Sequence, residues 1–324
     1  MLFFIWDFDR RFEMIPVQQL EEQGIYLQTP LYSTSPPPGG VPSTPPKILK
    51  YPIGYPLYLE RFNRVQLGLR KGETYLLNLT FPTVVESDYS PLEIYNRVSA
   101  PFKLYFRGEF LCYSPERFVK VVGNKIFTYP MKGTIDGQIP NAEELILGNQ
   151  KEMAEHLMVV DLLRNDLGII GRRIRINRFR YIDKIFGGRS PLLQVSSEIE
   201  GELPENWLNQ WEELIGRLLP AGSISGTPKK RTCEIIREVE GYRRGYYTGI
   251  FGILDRKRKI LDSGVIIRYL EPLTPRRWGE VNHLFPKLPP QKLPFRYLYK
   301  SGGGITIDSN PEEEYRELLR KVYF

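Results

Sequence analysis

The sequence predicts an α+β fold. Strand-like and helical segments occur in blocks, without the alternating βαβ rhythm that builds a parallel sheet, and no internal repeat is present. The chain has 324 residues, of which 41% are apolar and 26% charged, enough for a large core in one large domain or two small ones. The elements follow in order. Met1 to Trp6 is apolar and is cut short by Asp7, which reads as a first strand; with no basic region before it, it does not read as a signal peptide. From Thr29 through Ser35-Pro36-Pro37-Pro38-Gly39-Gly40 to Pro46 the chain is too dense in proline and glycine for a core element. Residues 1–52 are therefore expected to form a short N-terminal strand and an irregular arm, with 53–324 as the main domain. Gly72 to Thr80 and Phe102 to Val122, rich in Tyr, Phe, Val and Leu, are strand-like. Asn141 to Leu167 reads as one long helix. Glu205 to Leu219 reads as an amphipathic helix with Trp207, Leu208, Trp211, Leu214, Ile215 and Leu218 on one face, ended by Pro220. A Gly/Ser loop, Pro220 to Lys229, leads into a helix with Thr227 as N-cap and Pro228 as first residue. Arg243 to Leu270 returns to strands, and Pro272 to Pro294 reads as an excursion loop. After Gly302-Gly303-Gly304 and a strand-like Ile305-Thr306-Ile307, a last helix starts at Pro311 with Asn310 as its cap.

Composition excludes several function classes. No apolar run approaches the roughly 20 residues needed to span a bilayer. The only cysteines are Cys112 and Cys233 and the only histidines His156 and His283, so a Cys/His metal site and a His-based triad are nearly excluded, and a reducing cytoplasm fits best. The net charge of +7 raises nucleic-acid binding as a non-enzyme alternative, but the lysines and arginines are scattered in short groups. A mild positive potential also suits a small anionic substrate.

Three constellations remain. Glu116, in Ser114-Pro115-Glu116-Arg117-Phe118, lies sixteen positions before Lys132, in Pro130-Met131-Lys132-Gly133-Thr134. Between them Gly123-Asn124 signals a hairpin turn; centred on Asn124, it would set Glu116 opposite Lys132, roughly 5 Å apart. An acid and an amine so placed read as a general acid and a nucleophile, or, more commonly for such spacing, as a solvated ion pair. Glu152 and Glu155 share one helix face, and Glu314 and Glu317 share another. Two such helices can hold Mg²⁺ between them, although glutamates in a first helical turn also simply favour the helix dipole. The loop from Gly222 to Lys229 exposes backbone amides suited to a carboxylate or phosphate, and Gly302 to Gly304 either lets backbone approach a ligand or makes a tight turn.

Together these segments resemble the chorismate-utilising enzymes. Ser114 to Phe118 is similar to that family's SPERF signature and Pro130 to Thr134 to its P-I-x-G-T signature. Glu152 to Gly168, EMAEHLMVVDLLRNDLG, resembles its long signature helix, and Gly222 to Lys229 its GSxTGAPK loop. Arg244 to Gly249 and Gly302 to Tyr315 resemble two further signatures, and the order holds from about Ile53 to Phe324. The resemblance implies an α/β sandwich of large antiparallel sheets with helices packed outside, and makes 53–324 the chorismate-binding catalytic domain.

Lys132 separates the branches. Anthranilate synthases usually carry alanine there, whereas a PIKGT lysine is typical of component I of aminodeoxychorismate synthase. Isochorismate and salicylate synthases use another lysine to activate water, at a position where this chain has Leu76. The resemblance thus implies conversion of chorismate and ammonia to 4-amino-4-deoxychorismate, on the way to 4-aminobenzoate and folate, with anthranilate synthase component I or a salicylate/isochorismate synthase-like member as alternatives. It implies Glu116 as acid, Lys132 as nucleophile at C2, and Mg²⁺ on Glu155 and Glu317 with Glu152 and Glu314 nearby. Ser223, Tyr247, Arg268, Gly302, Gly304 and Lys321 are implied at the substrate carboxylates and Thr134 in the ring pocket. Ammonia is expected from solution or from a separate glutamine amidotransferase subunit. Two departures stand out: Gln194 occupies a place where the family often has histidine, and the short N-terminal part gives little room for the tryptophan site of larger members.

Overall fold

A computed structural model describes residues 1–185 and 192–324. The chain opens with β1 (Leu2–Trp6), β2 (Phe12–Pro16), β3 (Ile25–Gln28) and β4 (Ile48–Tyr51), then α1 (Tyr55–Arg70), β5 (Leu76–Ser87) and α2 (Pro91–Arg97). Next come β6 (Phe102–Phe106), β7 (Phe110–Ser114), β8 (Arg117–Val122), β9 (Lys125–Thr128) and β10 (Met131–Asp136). Two helices, α3 (Ala142–Gly148) and α4 (Gln150–Ile170), precede β11 (Arg172–Ile185) and β12 (Leu192–Glu202). The last third runs α5 (Trp211–Arg217), β13 (Gly226–Thr227), α6 (Lys229–Glu240), β14 (Ile250–Asp255), β15 (Ile260–Val265), β16 (Tyr269–Pro272), α7 (Pro275–Val281), β17 (Phe295–Ile305) and α8 (Pro311–Arg320).

The strands form two antiparallel sheets, as the α+β expectation requires. One runs β10-β12-β9-β8-β15-β14-β1-β2, with β11 also on β12; the other runs β13-β5-β17-β16-β7-β6-β3, with β4 on β5. The two sheets face each other. In β1, Phe3 and Ile5 pack between the sheets with Phe102, Phe106 and Phe251, while Phe4 and Trp6 point the other way against Trp211 and Leu214 of α5. A strand buried on both faces needs apolar residues at every position, hence the unbroken run Leu2–Trp6. The outer face of the first sheet is covered by α4 and α5, and that of the second by α1, α6 and α8 around Leu77, Leu79 and Phe81. Among the described residues no helix is long and apolar enough to cross a membrane.

Several element boundaries differ from the sequence expectation. The single helix over 141–167 is two: Asn149 breaks it, and its side chain caps α4 by accepting from the Glu152 amide at 3.1 Å. The amphipathic helix over 205–219 is a short 3-10 turn (Trp207–Asn209) followed by α5, yet Trp207, Trp211, Leu214, Ile215 and Leu218 are buried together as expected. Gly72 lies in the turn after α1 rather than in a strand, and α6 begins one residue late, with Pro228 at its cap. The Pro272–Pro294 excursion contains α7, and Val281, Leu284 and Phe285 tuck it against α1 and α6. Asn310 caps α8 as expected, accepting from the Glu312 and Glu313 amides.

Candidate active site

Pro130 decides where Lys132 goes. The turn after β8 consists of Gly123 and Asn124, with Val122 opposite Lys125, and the β8–β9 ladder stops at Lys120 opposite Phe127. Pro130 has no N–H to extend it. Thr128 and Met131 instead pair with Ile199 and Ser196 of β12, so β10 leaves β8 altogether. Glu116 and Lys132 are therefore not cross-strand neighbours, contrary to the register expected from the sequence; both still reach one cavity from different strands. A bulge between Met131 and Thr134 turns Lys132 inward, with Gly133 at φ +84°, a conformation that favours glycine.

The cavity measures about 260 Å³ and opens where the ends of both sheets meet α4 and α8. Glu116 enters from the start of β8, and its Oε1 accepts from the Ser223 hydroxyl at 2.6 Å. Burial raises its pKa above the usual carboxylate range, against smaller opposing effects of Ser223, Lys321 and Arg268. This favours a neutral carboxyl with a proton to give. Lys132 Nζ lies 2.7 Å from Glu155 Oε2. Burial pushes its pKa down, but Glu155, then Glu317 and Glu152, more than offset that and hold it above the ordinary lysine value. In this state Lys132 is an ammonium ion clamped to Glu155.

Glu152 and Glu155 of α4 and Glu313, Glu314 and Glu317 of α8 line an adjoining cavity that shares Lys132, Glu155, Gly304 and Glu317 with the first. Lys321 Nζ is 2.6 Å from Glu317 Oε1 and donates to the Gly302 carbonyl at 2.7 Å. Burial raises the Glu317 pKa, but Lys321 and Lys132 outweigh it and bring the value below normal. Glu314 is raised, first by burial and then by the Glu317 charge. Among the described residues no three acidic, histidine or cysteine side chains close around one point. A closed cage is not what Mg²⁺ requires: it takes one or two carboxylates and keeps positions for water and substrate oxygens. The donor set, all carboxylate oxygen with Glu152 Oε2 buried and unpartnered, fits such an ion.

The remaining residues singled out in the sequence fall as follows. Ser223, Tyr247, Arg268, Gly302, Gly304 and Lys321 line the cavity, as do Leu76 and Gln194. Arg268 has a buried Nε without a partner, the state of a guanidinium left ready for a carboxylate. Gly302 to Gly304 are not a turn but the end of β17: a Cβ on Gly302 would stand 2.3 Å from the Leu79 carbonyl, and one on Gly303 3.2 Å from Glu314 Oε2. Thr134 lies opposite Gln194 on β10, is exposed and does not line the cavity. Sequence reasoning missed Asn78, Val159, Thr248 and Lys300, which do. Two carried a signal: Val159 is one helical turn beyond Glu155, and Lys300 is two strand positions before Gly302. Lys132, Arg268, Lys300 and Lys321 give the cavity more cationic than anionic groups once Glu116 is neutral.

Residues 16–324 match the family described as chorismate binding enzyme. An uncharacterized PabA-like protein of Haemophilus influenzae is 43% identical over 325 residues, covering 99% of this chain and 91% of that one. Aminodeoxychorismate synthase component 1 of Salmonella typhimurium is 34% identical over 280 residues, covering 82% of this chain and 56% of its own length. An anthranilate synthase component 1 of Haloarcula marismortui is 31% identical over 278 residues, covering 82% and 51%. The chain thus spans about half the length of these last two relatives. Among solved structures, anthranilate synthase component I of Streptococcus pneumoniae has the same fold, with a TM-score of 0.66 at 23% identity over 94% of this chain and 63% of that one.

Proposed function

The chain belongs to the chorismate binding enzyme family, and from that premise we propose that it is component I of an aminodeoxychorismate synthase, converting chorismate and ammonia to 4-amino-4-deoxychorismate. The observation that carries this reading is Lys132, turned into the cavity by the β10 bulge, with apolar Leu76 in the cavity wall. An amine at the first position suits attack on a ring carbon, and an aliphatic side chain at the second supplies no base to activate water.

The chain's residues divide the chemistry between them. Arg268, Lys321 and the backbone of Gly302 to Gly304 hold the substrate's two carboxylates. A Mg²⁺ ion bound through Glu155 and Glu317, with Glu152 and Glu314 beside them, would draw charge from the ring carboxylate and ease departure of the C4 hydroxyl. Glu116 donates its proton to that hydroxyl, which leaves as water. Lys132 Nζ bonds to C2 as both ring double bonds shift by one bond and the C4–O bond breaks. Ammonia then bonds to C4, both double bonds shift back and the C2–N bond breaks, returning Lys132. Lys132 must first lose a proton, and Glu155 Oε2, 2.7 Å away, is the nearest acceptor. Cys112 and Cys233 are buried, and burial raises both thiols, so neither is placed as a glutaminase nucleophile. A separate glutamine amidotransferase subunit is the proposed source of ammonia.

The test is incubation of the purified chain with chorismate, Mg²⁺ and either ammonium at alkaline pH or glutamine, followed by product mass. The 4-amino product is expected with ammonium and not with glutamine. Anthranilate with pyruvate, or isochorismate, would replace this reading with the corresponding branch of the family.

A further inference from the structure

One face of α4 serves two ends of the active site. Glu152 and Glu155 lie near its start, Val159 lines the cavity, and Leu162 and Asp166 follow at the same helical spacing. Eleven residues separate Glu155 from Asp166, about 16 Å along the axis. Asp166 is buried, and its Oδ1 lies 2.9 Å from Lys229 Nζ at the start of α6. Lys229 also donates to the Leu218 carbonyl at 2.6 Å. Leu218 and Lys229 are the two ends of the loop that joins α5 to α6, so this one ammonium closes the neck of the loop and ties it to α4. Inside the loop Gly222 rests directly on α4: a Cβ there would stand 2.6 Å from Asp166 Oδ2 and 3.1 Å from Leu162. The next residue, Ser223, makes the 2.6 Å hydrogen bond to Glu116.

We propose that the Asp166–Lys229 pair is a positioning device that holds Ser223 on Glu116 and thereby sets how readily the acid gives up its proton. Asp166 and Lys229 do not line the cavity, so they act only through the loop. The Ser223 hydroxyl favours the carboxylate form of Glu116 over the neutral acid. Loosening the loop removes this donor and leaves burial less opposed. The other ionisable groups around Glu116 come from separate elements: Lys321 from the end of α8, Arg268 from the segment before β16, Tyr247 from the segment before β14, Lys300 from β17, and Lys132 with Glu155 and Glu317 across the cavity. None of them contacts Asp166 or Lys229, so a shift caused by the pair is transmitted by Ser223. The inference deepens the reading of Glu116 as acid, yet it can be tested without turnover.

The experiment is an infrared titration of the Glu116 carboxyl in the ligand-free full chain, isolated by subtracting the spectrum of Glu116→Gln. Ser223→Ala should raise the midpoint by about one pH unit, the size of one lost hydrogen bond to a charged acceptor. Lys229→Met and Asp166→Asn should raise it by a similar amount, Lys229→Met added to Ser223→Ala should raise it no further, and Lys229→Arg should restore most of the wild-type value. Each of these removes or reshapes a buried charge, so circular dichroism is read first. Gly222→Ala, which leaves both charges in place and lifts the loop off Asp166, serves if the charge variants do not fold, and it should give the same rise. A wild-type midpoint in folded Lys229→Met, Asp166→Asn or Gly222→Ala overturns the proposal, as does a rise in Lys229→Met that adds to that of Ser223→Ala. Absence of 4-amino product from wild-type protein would sink the functional reading alone and leave the titration result standing.

Discussion

Glu240→Gln asks how far the cavity wall depends on one charge pair that never touches substrate. The side chains of Glu240 and Arg244 are each 1% exposed. Glu240 accepts from the Thr80 amide at 2.9 Å, from the Thr80 hydroxyl at 2.8 Å and from Arg244 Nε at 2.9 Å. Arg244 in turn donates to the carbonyls of Ile224 at 2.9 Å and Asn78 at 2.7 Å and to the Thr248 hydroxyl at 3.2 Å. Asn78, Ile224 and Thr248 all line the cavity. Burial works against the charged guanidinium, but Glu240 outweighs burial and raises its pKa above the ordinary arginine value. Glutamine preserves volume, but it strands the arginine charge and turns an amide NH₂ toward the Arg244 guanidinium or the Thr80 amide, which can only donate. Removing one member of such a pair costs about 3–5 kcal/mol, so the urea midpoint should fall by that amount divided by an unchanged slope. Arg244→Met should cost about as much by stranding Glu240. The double replacement Glu240→Gln/Arg244→Met leaves neither charge orphaned, and should fall short of the summed single losses by at least about 2 kcal/mol. The Michaelis constant for chorismate should rise in every variant that folds, because three wall positions lose their anchor. A Glu240→Gln loss within about 1 kcal/mol, the range of solvated pairs, or strict additivity in the cycle, would refute the reasoning.

Three further expectations follow from the site and the core. Lys132→Ala should lower formation of the 4-amino product by at least roughly 10³-fold, the scale of removing a nucleophile, and shift residual activity toward the 2-amino isomer or its aromatic product, while Glu116→Gln should depress all products; mass analysis that finds an undiminished 4-amino product in Lys132→Ala would rule out the covalent route. Glu155→Gln or Glu317→Gln should lose at least about 100-fold at limiting Mg²⁺, beyond the 10–100-fold typical of a partner outside the metal's own ligands, with an unchanged circular dichroism spectrum; near-wild-type rates at limiting Mg²⁺ would remove these glutamates from the metal site. Glu86 is fully buried, paired with Arg296 and capped by the Lys292 and Leu293 amides; burial raises its pKa, but these partners win and hold it below normal. Its stabilisation is therefore complete above the unfolded value of about 4.3 and is lost as pH falls through the lower folded value, so chemical denaturation repeated across that acid range should show a wild-type slope that Glu86→Gln lacks.

What could be read from the sequence is what depends on near neighbours. The Asn310-Pro311 start of α8 and the doubly buried strand Leu2–Trp6 are written in a few adjacent residues, and the apolar face from Trp207 to Leu218 survives even though its helix is interrupted. The paired glutamates of α4 and α8 were legible because helical spacing alone puts them on one face. The partnership of Glu116 and Lys132 was misplaced because a missing N–H at Pro130 hands the chain to a strand some seventy residues later. The break at Asn149 hinges on a side chain that caps instead of continuing a helix. β11 and β12 are not legible as separate strands, because the exposed arginines of β11 and the glutamates of β12 that pair with them break up any apolar pattern. Lys132–Glu155, Lys321–Gly302 and Asp166–Lys229 each join residues from different elements, and only the folded chain brings them together.

The place of β1 has a consequence for how the protein is made. It is bracketed by β2, which is local, and by β14, which starts at Ile250. At 5–20 residues per second, a ribosome needs roughly 12–50 s to bring Ile250 into being after Trp6. For that interval Phe3, Phe4, Ile5 and Trp6 form half of a lone hairpin with an open edge, the arrangement that recruits foreign strands. Nascent chains therefore carry this apolar strand with one edge unpaired until Ile250 and the rest of β14 emerge. Ribosome-bound chaperones have a defined client stretch in Leu2–Trp6, and slower elongation lengthens the exposure without altering a single contact of the finished fold.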